Sequence, residues 1–381
     1  MPSTRDYEYL LECENVIGVD YDEDDHRVTV FVSQKRPRSV LGDADDVETR
    51  LTDAGDDVAV RVVDVGYGET KEGFDALSIL EPVPEAAHGR QERHRPIPAG
   101  VSEINANSTA GTGGPYPARV AEAAGANGAW ADDVEPGDLV RLSNNHVYAR
   151  SDAADFGEAI RQPSPEDSGG PDDEVGELVG YVPIEDGALV DVAARSVDRE
   201  QESESYYELE ESWPTGVRRE GYDDLRGETV TKTGRTTAVT SAEVEATSAS
   251  VRVDFGERGS ILFRDQLVTG YMSEPGDSGS PVFLEDGELV GLLFAGSAEQ
   301  TICNRIATVE AELGVEVLAA EPDDGTSDER GSGERRGDES ADVPVYATAM
   351  DHTVSVDLEA PEPTLESLEF ADEIRRARPS R

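Results

Sequence analysis

Ser278 lies between two glycines in the hexapeptide 276–281, whose sequence is Gly-Asp-Ser-Gly-Ser-Pro. Glycine lets a backbone turn sharply, and such a turn can aim successive N–H groups at one point. N–H groups gathered beside a hydroxyl suit a nucleophile whose carbonyl target becomes an oxyanion. The hexapeptide therefore predicts a nucleophilic hydroxyl at Ser278.

The residues that follow predict the elements that position this serine. Residues 282–284 start an apolar strand, residues 285–287 are typical of a hairpin turn, and residues 289–294 return as a nearly all-apolar strand. We therefore expect a rigid sheet, rather than a flexible loop, to hold the serine.

The hexapeptide and its hairpin resemble the nucleophile loop of the chymotrypsin-like (trypsin-like) serine peptidases. That family needs a histidine and then an aspartate upstream of the serine. Residues 142–149 form an apolar strand that ends in His146 before a small turn, and they resemble the histidine segment. Residues 188–194 carry Asp191 inside an apolar run and resemble the aspartate segment. The separations between the three segments are of the size that two successive barrels require.

The resemblance implies both a fold and a mechanism. The fold is mainly β, a double six-stranded antiparallel β-barrel. By analogy with the Ser-His-Asp template, Ser278 attacks a peptide carbonyl, His146 takes and returns the proton, and Asp191 fixes the imidazole tautomer. The backbone N–H groups of Gly276 and Ser278 form the oxyanion hole.

Three further positions concern substrate recognition. Met272, six residues before the nucleophile, maps to the base of the primary specificity pocket, which implies an apolar side chain on the residue before the cleaved bond. Phe294 and Gly296 are the first and last residues of the tripeptide Phe-Ala-Gly, which lies where trypsin-like enzymes carry Ser-Trp-Gly. The edge that pairs with substrate and the support of Asp191 are therefore expected to differ from theirs.

The aspartate before the nucleophile raises a question about activation. In relatives made as zymogens, a freed amino terminus pairs with this aspartate, here Asp277. No evident activation site precedes Gly100. Either another group satisfies Asp277, or the enzyme needs no activation.

A second string, Glu-Asp-Ser-Gly-Gly-Pro at residues 166–171, competes for the nucleophile. Ser168 lacks the glycine two residues before it, and Glu166 resists the backbone angles that an N–H cluster can require. Acidic residues rather than an apolar strand follow this string, and Ser168 precedes Asp191, which breaks the family order. We therefore favour Ser278 and interpret residues 166–171 as an ordinary loop.

The composition indicates a protein adapted to concentrated salt. In 381 residues, 83 acids against 33 bases give a formal net charge of −50. Such like charge pushes a compact state apart at low ionic strength, whereas about 1 M salt shortens the Debye length to roughly 3 Å. The same charge disfavours nucleic-acid binding, because phosphates would meet a negative surface.

Cysteine usage and hydropathy suggest where the protein works. Cys13 and Cys303 are the only cysteines, so a disulfide framework is excluded. We see no apolar signal core and no run of the ~18 apolar residues that span a membrane. A cytoplasmic location is therefore expected. His88 and His94 lack further nearby ligands, so neither a metal site nor a cofactor is predicted.

The chain is predicted to contain five regions. These are a small α/β domain (1–68), a linker (69–98), the peptidase domain (99–320), an acidic disordered segment (321–342) and a C-terminal extension (343–381). The disordered segment is predicted because it has almost no apolar residue.

Each candidate residue also has a structural interpretation. A single histidine at the end of an apolar strand is commonly structural, and Asp191 needs a partner if it is buried. Pairing of His146 with Asp191 explains both residues at once. The predicted function is a serine endopeptidase acting on polypeptides. The alternatives are an inactive binding protein of the same fold and an esterase-like hydrolase that uses the same triad. The sequence leaves the oligomeric state open.

Overall fold

The computed structural model describes residues 2–77, 82–123 and 125–319. The described residues lie within one compact unit. The predicted disordered segment and C-terminal extension lie outside the described residues. Among the residues described, no helix is both long and apolar enough to cross a membrane.

The N-terminal part contains three strands and one α-helix. They are β1 (Val16–Asp22), β2 (Arg27–Val32), α1 (Val47–Ala54) and β3 (Ala59–Asp64), preceded by a 3-10 helix (Thr4–Glu12). β1 pairs antiparallel with β2, and β2 pairs parallel with β3.

The helix α1 of this part begins at Val47. The Asp46 side chain caps it by accepting the N–H of Glu48, and Gly55 ends it with a φ of 80°. Only a short 3-10 turn (Arg38–Val40) precedes it. The 3-10 helix at Thr4–Glu12 was not predicted.

The segment predicted as a linker is mostly irregular but packs against the rest of the molecule. It contains β4 (Phe74–Ala76) and leads into β5 (Ile97–Ala99). Between them, Arg90 is fully buried, and its guanidinium donates to the Gly100 carbonyl and the Thr233 hydroxyl, each at 2.7 Å. These contacts fix the segment to the structure that follows.

The remaining elements are predominantly strands. In order they are β6 (Ile104–Asn105), β7 (Ala118–Val120), β8 (Ala129–Trp130), β9 (Leu139–Ser143), α2 (Asn145–Tyr148), β10 (Ala159–Arg161), β11 (Glu174–Tyr181), β12 (Ala193–Ser196), β13 (Glu202–Tyr206), β14 (Gly216–Val217), β15 (Thr229–Gly234), β16 (Ala238–Asp254), β17 (Ser260–Gly270), β18 (Pro281–Leu284), β19 (Glu288–Gly296), β20 (Gln300–Arg305), α3 (Ile306–Leu313) and β21 (Val315–Val317). Three further 3-10 helices lie at Pro171–Asp173, Tyr222–Leu225 and Gly256–Arg258.

Two sheets carry the candidate site, and the predicted mainly β class is confirmed. The first runs β21-β7-β9-β12-β11-β10-β6, with β8 paired to β11. The second runs β15-β18-β19-β20-β17-β16 and closes into a six-stranded ring through pairing of β15 with β16. One apolar cluster lies among the strands of the first sheet and another among those of the second, and a third joins residues of both sheets.

The N-terminal strands continue the second sheet. β1 pairs antiparallel with β16, placing Gly18 opposite Val251 and Val19 opposite Ser250. The boundary near residue 68 remains a prediction, but β1, β2 and β3 share one sheet with the second barrel. This arrangement brings the segment that follows β3 to the candidate site.

Candidate active site

His146 and Asp191 form a buried pair between the ends of neighbouring strands. His146 lies in α2 directly after β9, and Asp191 lies two residues before β12, which pairs with β9. His146 Nδ1 hydrogen-bonds to Asp191 Oδ2, and the His146 backbone N–H donates to Asp191 Oδ1 at 3.2 Å. His146 is 2% exposed and Asp191 is fully buried. The carboxylate therefore fixes the ring and leaves Nε2 available for proton transfer.

Two asparagines hold the backbone of Asp191. The Asn144 side-chain amide donates to the Asp191 carbonyl at 2.9 Å. The Asn304 amide donates to the same carbonyl at 3.1 Å, and its oxygen accepts the Asp191 N–H at 3.1 Å. Sequence reasoning missed Asn304. The sequence offered little signal, because the residues of β20 are mostly polar although nearly all of them are buried.

Ser278 lies on the turn between β17 and β18 and is fully buried. Its Oγ donates to the Phe294 carbonyl on β19 at 3.2 Å. Its own carbonyl accepts the N–H of Thr112 at 2.9 Å, and the Thr112 hydroxyl donates to the Gly276 carbonyl at 2.8 Å. These bonds fasten the turn to the loop between β6 and β7.

The structure joins His146 to Asp191 but not His146 to Ser278. Within the described part of the chain, His146 Nε2 is a buried nitrogen without a hydrogen-bond partner. The Ser278 hydroxyl points to Phe294 instead. Hydrogen bonds of catalytic groups are often long or misaligned before substrate binds, so a rotation of the serine side chain can complete the set.

The turn before Ser278 contains a glycine whose backbone is in the left-handed region. Gly276 has a φ of 97°, and a Cβ added there would lie 2.5 Å from the Thr236 hydroxyl. Neither the Gly276 nor the Ser278 N–H donates to an acceptor among the described residues. The two N–H groups remain available for a developing oxyanion.

Asp277 is satisfied by groups from within the chain. Its carboxylate lies 3.2 Å from the Lys232 ammonium and accepts the Thr236 N–H at 2.8 Å and the Thr237 hydroxyl at 2.7 Å. Both charged side chains are fully buried. Burial lowers the pKa of Lys232, whereas the adjacent Asp277 carboxylate favours its charged form. The sequence left two possibilities open, and the structure shows the first: Lys232 and its neighbours, rather than a chain terminus, satisfy Asp277.

The competing loop has a structural task. Asp167 accepts two hydrogen bonds from the Arg235 guanidinium, at 2.6 and 2.7 Å. Arg235 is 1% exposed, whereas Ser168 is exposed and has a φ of 74°. The acidic residue of this loop therefore neutralises a buried arginine.

The three candidate pocket residues lie around one edge of β19. Met272 is buried in the same apolar cluster as Leu77. Phe294 offers its carbonyl to Ser278, while its ring packs on Phe263 at a centroid distance of 5.0 Å. A Cβ added at Gly296 would lie 3.7 Å from Leu77 Cδ1. Their roles in substrate recognition remain predictions.

Residues 141–310, slightly under half of the chain, match the family model Trypsin. No curated protein matches the chain. Among solved structures, the chain is similar to Thermobifida fusca protease A, with 15% identity and a TM-score of 0.39 over 59% of this chain and 99% of that one. Cellulomonas bogoriensis chymotrypsin has 14% identity and a TM-score of 0.38 over 59% and 99%. The protease of Nocardiopsis has 16% identity and a TM-score of 0.38 over 58% and 98%.

Proposed function

With a Trypsin-family domain in residues 141–310 as the starting point, we propose that this chain is a serine endopeptidase. Ser278 attacks the peptide carbonyl and passes its proton to His146 Nε2, which returns it to the leaving amine. Asp191 holds the imidazole tautomer and stabilises the imidazolium. The observation that carries the proposal is the buried His146–Asp191 pair, whose outer ring nitrogen has no other partner among the described residues.

The oxyanion hole is assigned to the backbone N–H groups of Gly276 and Ser278. The loss of one such donor typically costs about 10² to 10³ in rate. A residue with a side chain is disfavoured at position 276, because the φ of Gly276 is positive and the Thr236 hydroxyl lies close to where a Cβ would be. Substrate polypeptides are proposed to carry an apolar residue before the cleaved bond, since Met272 lies in an apolar cluster.

A binding protein of the same fold is the second candidate. It is favoured by the Ser278 hydroxyl, which donates to Phe294 rather than to His146. A small fluorophosphonate probe separates the two, because it reacts only with an activated serine. The probe is applied in molar KCl to the wild type, to Ser278→Ala and to the matched control Ser168→Ala.

The peptidase proposal expects labelling of the wild type and of Ser168→Ala and none of Ser278→Ala. Failure of a folded wild type to label, after incubation long enough for its cleft to open, supports the binding protein. Labelling of Ser278→Ala assigns the nucleophile elsewhere. Casein digestion compared with short-ester turnover then separates a peptidase from an esterase. High-salt adaptation and a cytoplasmic location belong to the same proposal and rest on the sequence.

A further inference from the structure

A segment of the chain lies along the strand edge beside Ser278. β4 pairs antiparallel with β19, with Ala76 opposite Ala295 and Asp75 opposite Gly296. On its other side, β4 pairs in parallel with β16. The chain thereby fills the edge, residues 294–296, that the family resemblance assigns to a bound substrate.

Leu77 and Ser278 meet at one backbone oxygen. The Leu77 N–H donates to the Phe294 carbonyl at 3.3 Å, and Ser278 Oγ donates to the same oxygen at 3.2 Å. The Leu77 backbone therefore lies beside the hydroxyl of the nucleophile. The Leu77 carbonyl follows this N–H directly in the chain and is part of the peptide bond on the carboxyl side of Leu77.

The Leu77 side chain occupies an apolar pocket. It is 4% exposed and belongs to the cluster that contains Met272 and Leu293. It also reaches Gly296, as the 3.7 Å approach of its Cδ1 to an added Cβ indicates. Leucine is thus the residue type that this pocket accepts in the structure itself.

The chain also lies against the turn that carries the nucleophile. A Cβ added at Gly276 would lie 3.4 Å from the Val83 side chain. The Arg235 guanidinium donates to the Pro84 carbonyl at 2.9 Å, and the Ala87 N–H donates to the Arg235 carbonyl at 2.9 Å. Ser278 is consequently 0% exposed and His146 2% exposed.

We propose that the chain is its own first substrate and that the peptide bond on the carboxyl side of Leu77 is a self-processing site. This inference rests on the proposed peptidase function. Ser278 Oγ bonds to the Leu77 carbonyl carbon while its proton passes to His146 Nε2. The carbon–nitrogen bond then breaks, and His146 protonates the amine that leaves. Water hydrolyses the ester, which frees the Leu77 carboxylate and restores the serine hydroxyl.

The experiment follows the intact mass of the full-length chain during incubation in molar KCl. We expect the wild type to be cleaved after Leu77 and Ser278→Ala to remain uncleaved. Leu77→Met, which nearly conserves apolar volume, continues to divide there. Leu77→Arg does not, because an unpaired charge is disfavoured in an apolar pocket. Circular dichroism checks that each variant is folded.

Fluorophosphonate labelling of the same samples separates this inference from the proposed function. A wild type that labels at Ser278 and digests casein, yet keeps its full mass, overturns the self-processing site and leaves the peptidase intact. Division of purified Ser278→Ala also overturns it. Absence of labelling in both the wild type and Leu77→Arg overturns the peptidase proposal and the self-processing site with it.

Discussion

At the scale of single residues, Asn304 supports Asp191 through hydrogen bonds to its backbone. Its amide bonds to both the N–H and the carbonyl of Asp191 and to the Leu292 carbonyl at 3.3 Å. All of these groups are buried, so each lost bond leaves an unsatisfied polar group. Asn304 therefore positions the carboxylate without touching the reacting atoms.

We expect Asn304→Ala to lower kcat by about 10- to 100-fold, because a small displacement of a catalytic group can cost that much rate. KM is expected to change little, since the hydrogen bonds of the Asn304 side chain go to Asp191 and Leu292 rather than to Leu77. Steady-state hydrolysis of a leucyl peptide substrate measures both constants. A rise in KM with unchanged kcat would contradict a positioning role.

A second residue, Glu158 in the loop between α2 and β10, is expected to make the stability of the fold depend on pH in the acid range. Burial raises its pKa, but hydrogen bonds from Arg150 and Asn107 outweigh that effect and lower the pKa from 4.5 to about 2. The unfolded chain therefore binds a proton more readily than the folded chain between these values. Glu158 stabilises the fold above about pH 4.5, and this contribution is lost as the pH falls toward about 2.

We expect Glu158→Gln to be less stable than the wild type at neutral pH, with a difference that shrinks as the pH falls. Chemical unfolding at about pH 6 and about pH 3, in the same molar KCl, measures the two differences. A difference that is the same at both pH values would contradict the assigned pKa shift.

At the scale of elements, a buried ion network fastens the first sheet. Arg141 on β9 binds Glu202 on β13 at 2.6 Å, and Arg195 on β12 binds Glu202 at 2.8 Å and Glu103 at 2.7 Å. All four side chains are fully buried. The strand that supports His146 and the strand that follows Asp191 are thus tied together by charge.

Removal of one member should leave two buried arginines short of countercharge. We expect Glu202→Ala to lower the free energy of unfolding by about 3–5 kcal/mol, the range for a broken buried pair. Glu204→Ala, at an exposed position of the same strand, serves as the matched control and should change it by less than about 0.5 kcal/mol. Equal effects of the two variants in urea unfolding would contradict the role of the network.

Sequence reasoning reached the motifs whose chemistry is local. The turn around Ser278, the histidine after β9 and the aspartate before β12 are each legible in a few adjacent residues. Asn304 was missed because it lies 113 residues from Asp191, and only the folded sheet brings them together. β4 was missed for a similar reason: it has three residues, and its partners on β16 and β19 are far away in the chain.

At the scale of the whole molecule, acidic groups greatly outnumber basic groups. Ion pairs tie the N-terminal segment to the rest of the chain, as between Glu8 and Arg264 on β17 at 2.7 Å and between Asp20 and Arg226, in the loop before β15, at 2.7 Å. The full chain nevertheless carries a net charge of −50, so its carboxylates outnumber its basic groups by 50. Their repulsion opposes the compact state unless salt screens it.

We expect the midpoint of thermal unfolding to rise steeply as KCl increases toward about 1 M, where the Debye length reaches roughly 3 Å. The rise should level off once screening is complete. Calorimetry in a KCl series, with sucrose of equal osmolality as the uncharged control, measures the effect. A midpoint that is the same in dilute and molar KCl would contradict adaptation to salt.

The Lys232–Asp277 pair bears on how the proposed peptidase would be activated. Because the countercharge comes from β15, the shape of the nucleophile turn is independent of any newly made chain end. Opening the site then requires that residues 74–77 leave β19 and that the Ser278 hydroxyl turn from Phe294 toward His146. A leucyl boronate that competes for the same edge should form a reversible bond between its boron and Ser278 Oγ, with every peptide bond of the chain still in place.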